Sequence, residues 1–181
     1  MASLFRHGTD LLVQYARYHR DRRNIATHFV GIPLIVFAVG VLLARPALGV
    51  GPLALTPAWV LWGLATLWYL SRGHLFLGFA VSAVNALLIA LAQPLGENTT
   101  AAWLAWGVGC FVVGWIVQFV GHYYEGRKPA FADDLVGLLV GPMFVVAEAL
   151  FSLGWGRRLL DEIERRAGPT YLRDLHAPAM R

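Results

Sequence analysis

The sequence predicts an all-α, polytopic membrane protein: four clear transmembrane helices and a fifth apolar segment that is broken or re-entrant. Three observations carry this expectation. Hydrophobic residues make up 57% of the 181 positions and charged residues only 14%, against roughly 25% charged in a soluble domain. A soluble fold of this size has no interior large enough for so much apolar surface, and the mean hydropathy is positive at +0.57. The apolar residues also fall into long runs separated by short stretches rich in Gly, Pro and Arg. Seven Trp and six Tyr suit the two interfacial belts of a membrane protein.

Taken in order, residues 10–20 read as a short amphipathic helix, with Leu11, Leu12 and Tyr15 at helical spacing and Arg17 and Arg20 between them. Such a helix lies in the interface. Asp21-Arg-Arg-Asn24 is a polar break, and Asn24 is the expected N-cap of the next helix. The first long apolar run is 25–44, long enough to span, with Pro33 expected to bend it. Pro46, Gly49, Gly51, Pro52 and Pro57 mark a loop. The second run, 58–71, is short, the third is 75–92, a loop occupies 93–100, and the fourth run is 101–121. Asp133 or Asp134 is expected to cap the fifth run, 135–153, which Gly141-Pro142 interrupts and which carries Glu148. A short helix is expected around 157–167, stopped by Gly168-Pro169. The chain reads as one integral membrane domain over 1–181: an interfacial helix and turn at 10–24, membrane helices over 25–153, and a basic cytoplasmic tail over 154–181.

Charge sets the orientation. Arg17, Arg20, Arg22 and Arg23 precede the first run, Arg72 follows the second, and Arg127 and Lys128 follow the fourth. Four alternating crossings put all of these on one side, which the positive-inside rule makes cytoplasmic. The excess of 15 Lys and Arg over 11 Asp and Glu therefore reads as a face held against anionic lipid and not as a nucleic-acid surface. The first 24 residues are too polar for a cleavable signal peptide. The single cysteine, Cys110, excludes an intrachain disulfide and a cysteine-based metal cluster.

Two polar stretches meet at that cytoplasmic edge. One runs from Tyr15 to His28 and holds Tyr18, His19 and Asn24. The other, Gly114 to Ala130, places Gln118, His122 and Glu125 on one helical face. His19 and His28, nine residues apart, would sit on opposite faces of one continuous helix, but the break at 21–24 lets both rings turn to one point. Three histidines and a carboxylate without cysteine suit iron or zinc. Iron would bind dioxygen at an open position, whereas zinc would activate water for a lipid hydrolase. A transporter or structural role would leave no metal at this edge. Asn24 and Gln118 suit orientation of ligands or water, and Tyr15, Tyr18, Tyr123 and Tyr124 suit hydrogen bonding to a carboxylate. His74 lies on the same side. His7 and His176 lie near the ends, and Glu148, within an apolar run, is a functional candidate in its own right.

From Tyr15 to Gly154 the sequence resembles the Mpo1-like family of small membrane proteins. One signature is Tyr18-His19, then Asn24, then His28, followed by Gly31-Ile-Pro-Leu-Ile-Val-Phe37. The other is Gly114-Trp-Ile-Val-Gln118-Phe-Val-Gly-His122, then Glu125-Gly-Arg-Lys-Pro-Ala130, with Asp134-Leu135 and Gly141-Pro142 behind. The resemblance implies an Fe(II)-dependent dioxygenase that shortens 2-hydroxy fatty acids by one carbon, using O₂ and releasing CO₂. It implies that His19, His28 and His122 hold Fe(II), with Glu125 as a further ligand or catalytic group and Asn24 carried over beside it; Tyr18 and Gln118 are assigned supporting catalytic roles from their place in the same two polar stretches. The partners expected are then a 2-hydroxy fatty acid or related lipid, O₂ and the bilayer, with a homo-oligomer allowed. The composition leans bacterial, which places the chain in an inner membrane, or in the endoplasmic reticulum membrane if eukaryotic. The loop Arg20-Asp-Arg-Arg23 departs from the Asn-Pro found there in many members of the family.

Overall fold

The computed structural model describes residues 5–49, 55–129 and 136–175. Among them the fold is all-α. In chain order the helices are α1 (Gly8–Ala16), α2 (Arg22–Leu42), α3 (Pro57–Leu70), α4 (Leu75–Ala92), α5 (Thr100–Glu125), α6 (Gly137–Ser152) and α7 (Arg157–Ala167), with a 3₁₀ turn at Gln93–Glu97 after α4. The chain is an integral membrane protein. Among the described residues three elements are long and apolar enough to cross: α2, α4 with its 3₁₀ extension, and α5. α3 has 14 residues, about 21 Å at 1.5 Å per residue, short of the roughly 30 Å hydrocarbon core. α6 and α7 form a pair bent by 119°, which is the broken fifth segment.

Local chemistry sets the helix ends, and in two places it differs from the expectation. The N-cap of α2 is Asp21, whose carboxylate accepts from the backbone N–H of Arg23 at 2.8 Å. Asn24 lies inside the first turn, where its Nδ2 donates to Tyr18 and Glu125. Pro142 does not interrupt α6, which stays helical through it; the break in this region comes at Gly154 and Gly156, both at positive φ. Asp133 and Asp134, expected to cap α6, and His176 fall outside the described residues. Thr99 caps α5 through Ala102. Gly126, at φ +69°, ends α5 and donates its N–H to the His122 carbonyl at 2.9 Å.

α2 and α5 form the central antiparallel pair, and glycine brings them together. A Cβ at Gly31 would stand 2.9 Å from the Gly114 carbonyl oxygen, and one at Gly121 would stand 2.0 Å from Thr27 Oγ1. Small residues at the crossing let two backbones approach, as membrane helices do where lipid gives no hydrophobic drive for association. α4 packs beside α2 and pairs with α3, while α6 lies across α1, α2 and α4. α7 folds back onto α1, where Arg166 meets Asp10 at 2.7 Å. The tight apolar core sits at this end, among Leu12, Tyr15, Leu77, Phe144 and Ile163. Elsewhere large apolar side chains such as Leu64, Leu67, Phe79 and Leu87 face outward, as lipid-facing surface should.

Candidate metal centre

The turn between α1 and α2 carries His19, the second turn of α2 carries His28, and the last turn of α5 carries His122. All three are buried, and one ligand atom from each lies within 4.8 Å of the others. The Nε2 atoms of His19 and His28 are 2.9 Å apart. Each of these rings also has its Nδ1 on a backbone carbonyl four residues earlier: His19 on Tyr15 at 2.7 Å and His28 on Asn24 at 2.8 Å. A carbonyl only accepts, so Nδ1 carries the proton in both rings. The facing Nε2 atoms are then two lone pairs aimed at one point. The ring of His122 hydrogen-bonds the backbone of Arg127, and its Nδ1 is buried without a partner. Burial, reinforced by the neighbouring His28 and His122, pushes His19 well below the ordinary imidazole value, so the ring is neutral.

Three neutral imidazoles, each fixed by a backbone carbonyl and each presenting a bare nitrogen to a common centre, form a donor set that fits a transition-metal cation. Tyr15 stacks on His19 with ring centroids 4.1 Å apart, and Phe144 lies 5.5 Å from the same ring. These contacts hold the rings in place and exclude bulk water from one side.

Glu125 is fully buried beside the centre, but its oxygens face the turn. They accept from the backbone N–H of Arg20 at 3.0 Å, from that of Asp21 at 2.8 Å and from Asn24 Nδ2 at 3.0 Å. Asn24 Nδ2 also donates to the Tyr18 carbonyl at 3.1 Å. The cluster of mutually close ligand atoms is the histidine triad without Glu125. Arg20 stands behind the turn, donating Nε to the His19 carbonyl at 3.0 Å and Nη1 to the Gly168 carbonyl at 2.9 Å. Its Nη2 comes within 3.8 Å of Glu148.

A pocket of about 70 Å³ opens on the triad, walled by Tyr15, His28, His122, Gln118, Trp115 and Ile32 among others. Gln118 is buried, and its Nε2 has no partner. The structure thus brings His28, His122 and Gln118 together at one pocket, with His19 buried behind them against His28 and His122, and Asn24 and Glu125 in the brace beneath. The Tyr18 side chain borders a smaller neighbouring hollow; it is Tyr15 that lines the pocket. His74 bonds Thr9 at 2.9 Å and packs on His7, away from the triad. Tyr123 is exposed, and Tyr124 lies under the Arg23 guanidinium. Phe144 and Trp115 were not singled out in the sequence, since an aromatic residue in an apolar run carries no signal of what it packs against. The segment after α7 was missed too. Arg22 N–H donates to the Tyr171 carbonyl at 3.0 Å, Tyr171 N–H to the Arg20 carbonyl at 2.9 Å, and Arg173 N–H to Asp21 at 2.8 Å.

No solved structure matches the chain. The sequence is 34% identical over 152 residues to the 2-hydroxy-palmitic acid dioxygenase MPO1 of Saccharomyces cerevisiae, an alignment covering 83% of each chain. The model of the family described as 2-hydroxy-palmitic acid dioxygenase Mpo1-like matches residues 5–153, a span that contains all three histidines, and the chain belongs to that family.

Proposed function

We propose that this protein is an iron(II)-dependent dioxygenase that shortens 2-hydroxy fatty acids by one carbon, RCH(OH)COOH + O₂ giving RCOOH + CO₂ + H₂O. The observation that carries the reading is the convergence of three imidazole nitrogens beside a pocket whose other walls are mostly apolar, with Gln118 and Tyr15 as its further polar side chains. The activity in the relative's name supplies the reaction class. Bound Fe(II) would supply the means of bringing O₂ into reaction with an unactivated C1–C2 bond.

The residues of the chain do the rest. His19, His28 and His122 are the ligands in this reading. Glu125 is a positioning residue: its carboxylate holds the Arg20–Asp21 backbone and Asn24, and so fixes where the His19 ring stands. Asn24 extends that brace to the Tyr18 carbonyl and offers its own carbonyl to His28. Tyr18 contributes through its backbone and Tyr15 through its ring. Gln118 lines the pocket beside His122 with an amide Nε2 that has no partner, and in this reading it donates to the carboxylate or 2-hydroxyl of the substrate. The apolar walls Ile32 and Trp115 exclude water from the reacting carbons.

α2, α3, α4 and α5 are read as four crossings, α3 being the short one, with the triad at the cytoplasmic edge of a bacterial inner membrane. Arg17, Arg22, Arg23, Arg72, Arg127 and Lys128 all belong to that edge, in line with the positive-inside rule. The packing of α7 on α1 keeps the basic residues of α7 on the same side, so α6 and α7 do not complete a fifth crossing. The test is metal content and O₂ consumption of one anaerobically purified sample given a long-chain 2-hydroxy fatty acid. Iron near one per chain, with O₂ use abolished in His122→Ala, supports the reading. Stoichiometric zinc without O₂ use overturns it in favour of a hydrolase, and a folded protein that takes up no metal removes both.

A further inference from the structure

Beyond the triad pocket lies a much larger, partly open chamber, about 480 Å³, lined by α2, α3, α4, α5 and α6, within the size range of sites that bury whole small ligands. Ile35, Val36, Trp115, Leu138 and Pro142 are walls of both spaces. The pocket therefore leads into the chamber between α2, α5 and α6 without a change of wall. Along α2 the continuous lining runs from His28 in the pocket to Gly40 at the chamber's far end. Twelve residues of helix span about 18 Å, close to the roughly 15 Å depth of half a hydrocarbon core, which is the reach of one long acyl chain. Apart from Tyr69 and Asn85 the lining is apolar or aromatic. On one side the chamber is bordered by Leu61 of α3 and Phe111 of α5, both exposed, and these two helices make no substantial packing contact among the described residues.

The geometry points to a lipid-accessible acyl chamber: the tail of a long-chain 2-hydroxy acid lies in this space, enters sideways from the bilayer between α3 and α5, and sets its carboxyl end at the triad. This rests on the dioxygenase reading for the head group but not for the tail. An amphiphile already in the membrane has its chain at the right depth and its polar end at the edge where the histidines lie. The chamber then acts as a gauge. A chain too short to pass Trp115 and reach Trp62 and Ala65 forfeits most of the apolar contact, and one that outruns the Gly40 end does not seat its head at the triad.

The experiment uses the full chain in a bromine-free detergent, with tryptophan fluorescence as the readout. The probe is a long-chain 2-hydroxy fatty acid dibrominated at mid-chain. Trp62 and Trp115 both line the chamber, so saturable quenching is expected that disappears in Trp62→Phe/Trp115→Phe. Ala65→Phe fills the chamber from α3, and Val39→Phe fills it from α2 should the first variant fail to fold. Either should weaken the long-chain acid at least about tenfold, roughly 1.4 kcal/mol, while 2-hydroxyhexanoate binding and metal content stay unchanged. Quenching that rises linearly with probe and survives removal of both tryptophans means partition into the micelle and overturns the proposal. So does a brominated phospholipid that quenches the same two tryptophans and resists displacement by the free acid, or an unchanged long-chain affinity in the filled variants. Saturable binding without O₂ consumption would retain the chamber and remove the dioxygenase, whereas O₂ consumption without chamber quenching would do the reverse.

Discussion

His19 Nε2 and His28 Nε2 lie 2.9 Å apart with no proton between them, because each ring has already given its Nδ1–H to a backbone carbonyl. Two facing lone pairs in a buried site repel, and a cation relieves them. Metal should therefore stabilise the fold directly. At free Fe(II) a hundred times Kd the gain is about 2.7 kcal/mol, read as a rise in thermal midpoint on adding metal to chelator-treated protein. A midpoint indifferent to metal would mean that the lone pairs are satisfied in some other way.

The triad should behave as a unit. His19→Ala, His28→Ala and His122→Ala are each expected to lose stoichiometric metal, measured by elemental analysis of the purified variants. His74→Ala is the matched control. It removes one histidine from the same edge together with its bond to Thr9 and its ring contact with His7, neither of which touches the triad, so metal is retained and the lost hydrogen bond lowers stability by about 0.5–1.5 kcal/mol.

Glu125→Gln separates a ligand from a brace. The glutamine keeps one oxygen for the Arg20, Asp21 and Asn24 donors but turns an N–H₂ toward donors that already point at it. Hydrogen bonds to a charged group are worth about 1.5–3 kcal/mol, and a loss of that order is expected in denaturant unfolding. Metal should still bind at saturating concentration, with weaker affinity, because the three imidazoles are intact. Complete loss of metal from a folded Glu125→Gln variant would make Glu125 a ligand.

Gly121→Ala should push the α2–α5 pair apart at the level of the site. The new methyl would meet Thr27 Oγ1 at 2.0 Å and Asn24 Oδ1 at 2.5 Å, and Asn24 belongs to the brace. Overpacking of this kind costs about 1–3 kcal/mol. Combining it with Thr27→Ala removes the nearer clash, so the double variant should recover part of the stability lost in Gly121→Ala, measured in the same unfolding assay.

Much of this site was legible because its chemistry is written in residue types that are expensive to place near lipid. His28 and His122 stand at the ends of apolar runs, where a polar ring needs a partner, and the polar break after His19 lets that ring turn toward them. The helices followed from hydrophobic run length, and the α7 segment from its amphipathic spacing and its Gly-Pro stop. What could not be read is which acceptor answers which donor. Asn24 has an ordinary N-cap composition, yet Asp21 takes the cap three residues earlier, while the Asn24 Nδ2 donates to Glu125, a hundred residues on. Pro142 reads as a breaker, but one missing N–H is tolerated where neighbouring helices pack around the turn. The chamber was invisible for a related reason: a cavity is defined by side chains on five helices, and no single run records the space between them.

The strap formed by Gly168, Tyr171 and Arg173 over the turn 20–23 has a consequence for biosynthesis. His19 is made early, but the backbone that aims it is clasped by residues made some 150 positions later. During synthesis the first ligand must wait, unclasped, in a membrane where His28 and His122 have already been threaded. The turn's full set of hydrogen bonds forms only once residues 168–173 have left the ribosome, so the final ordering of the backbone around His19 is a late event that follows the synthesis of every membrane helix.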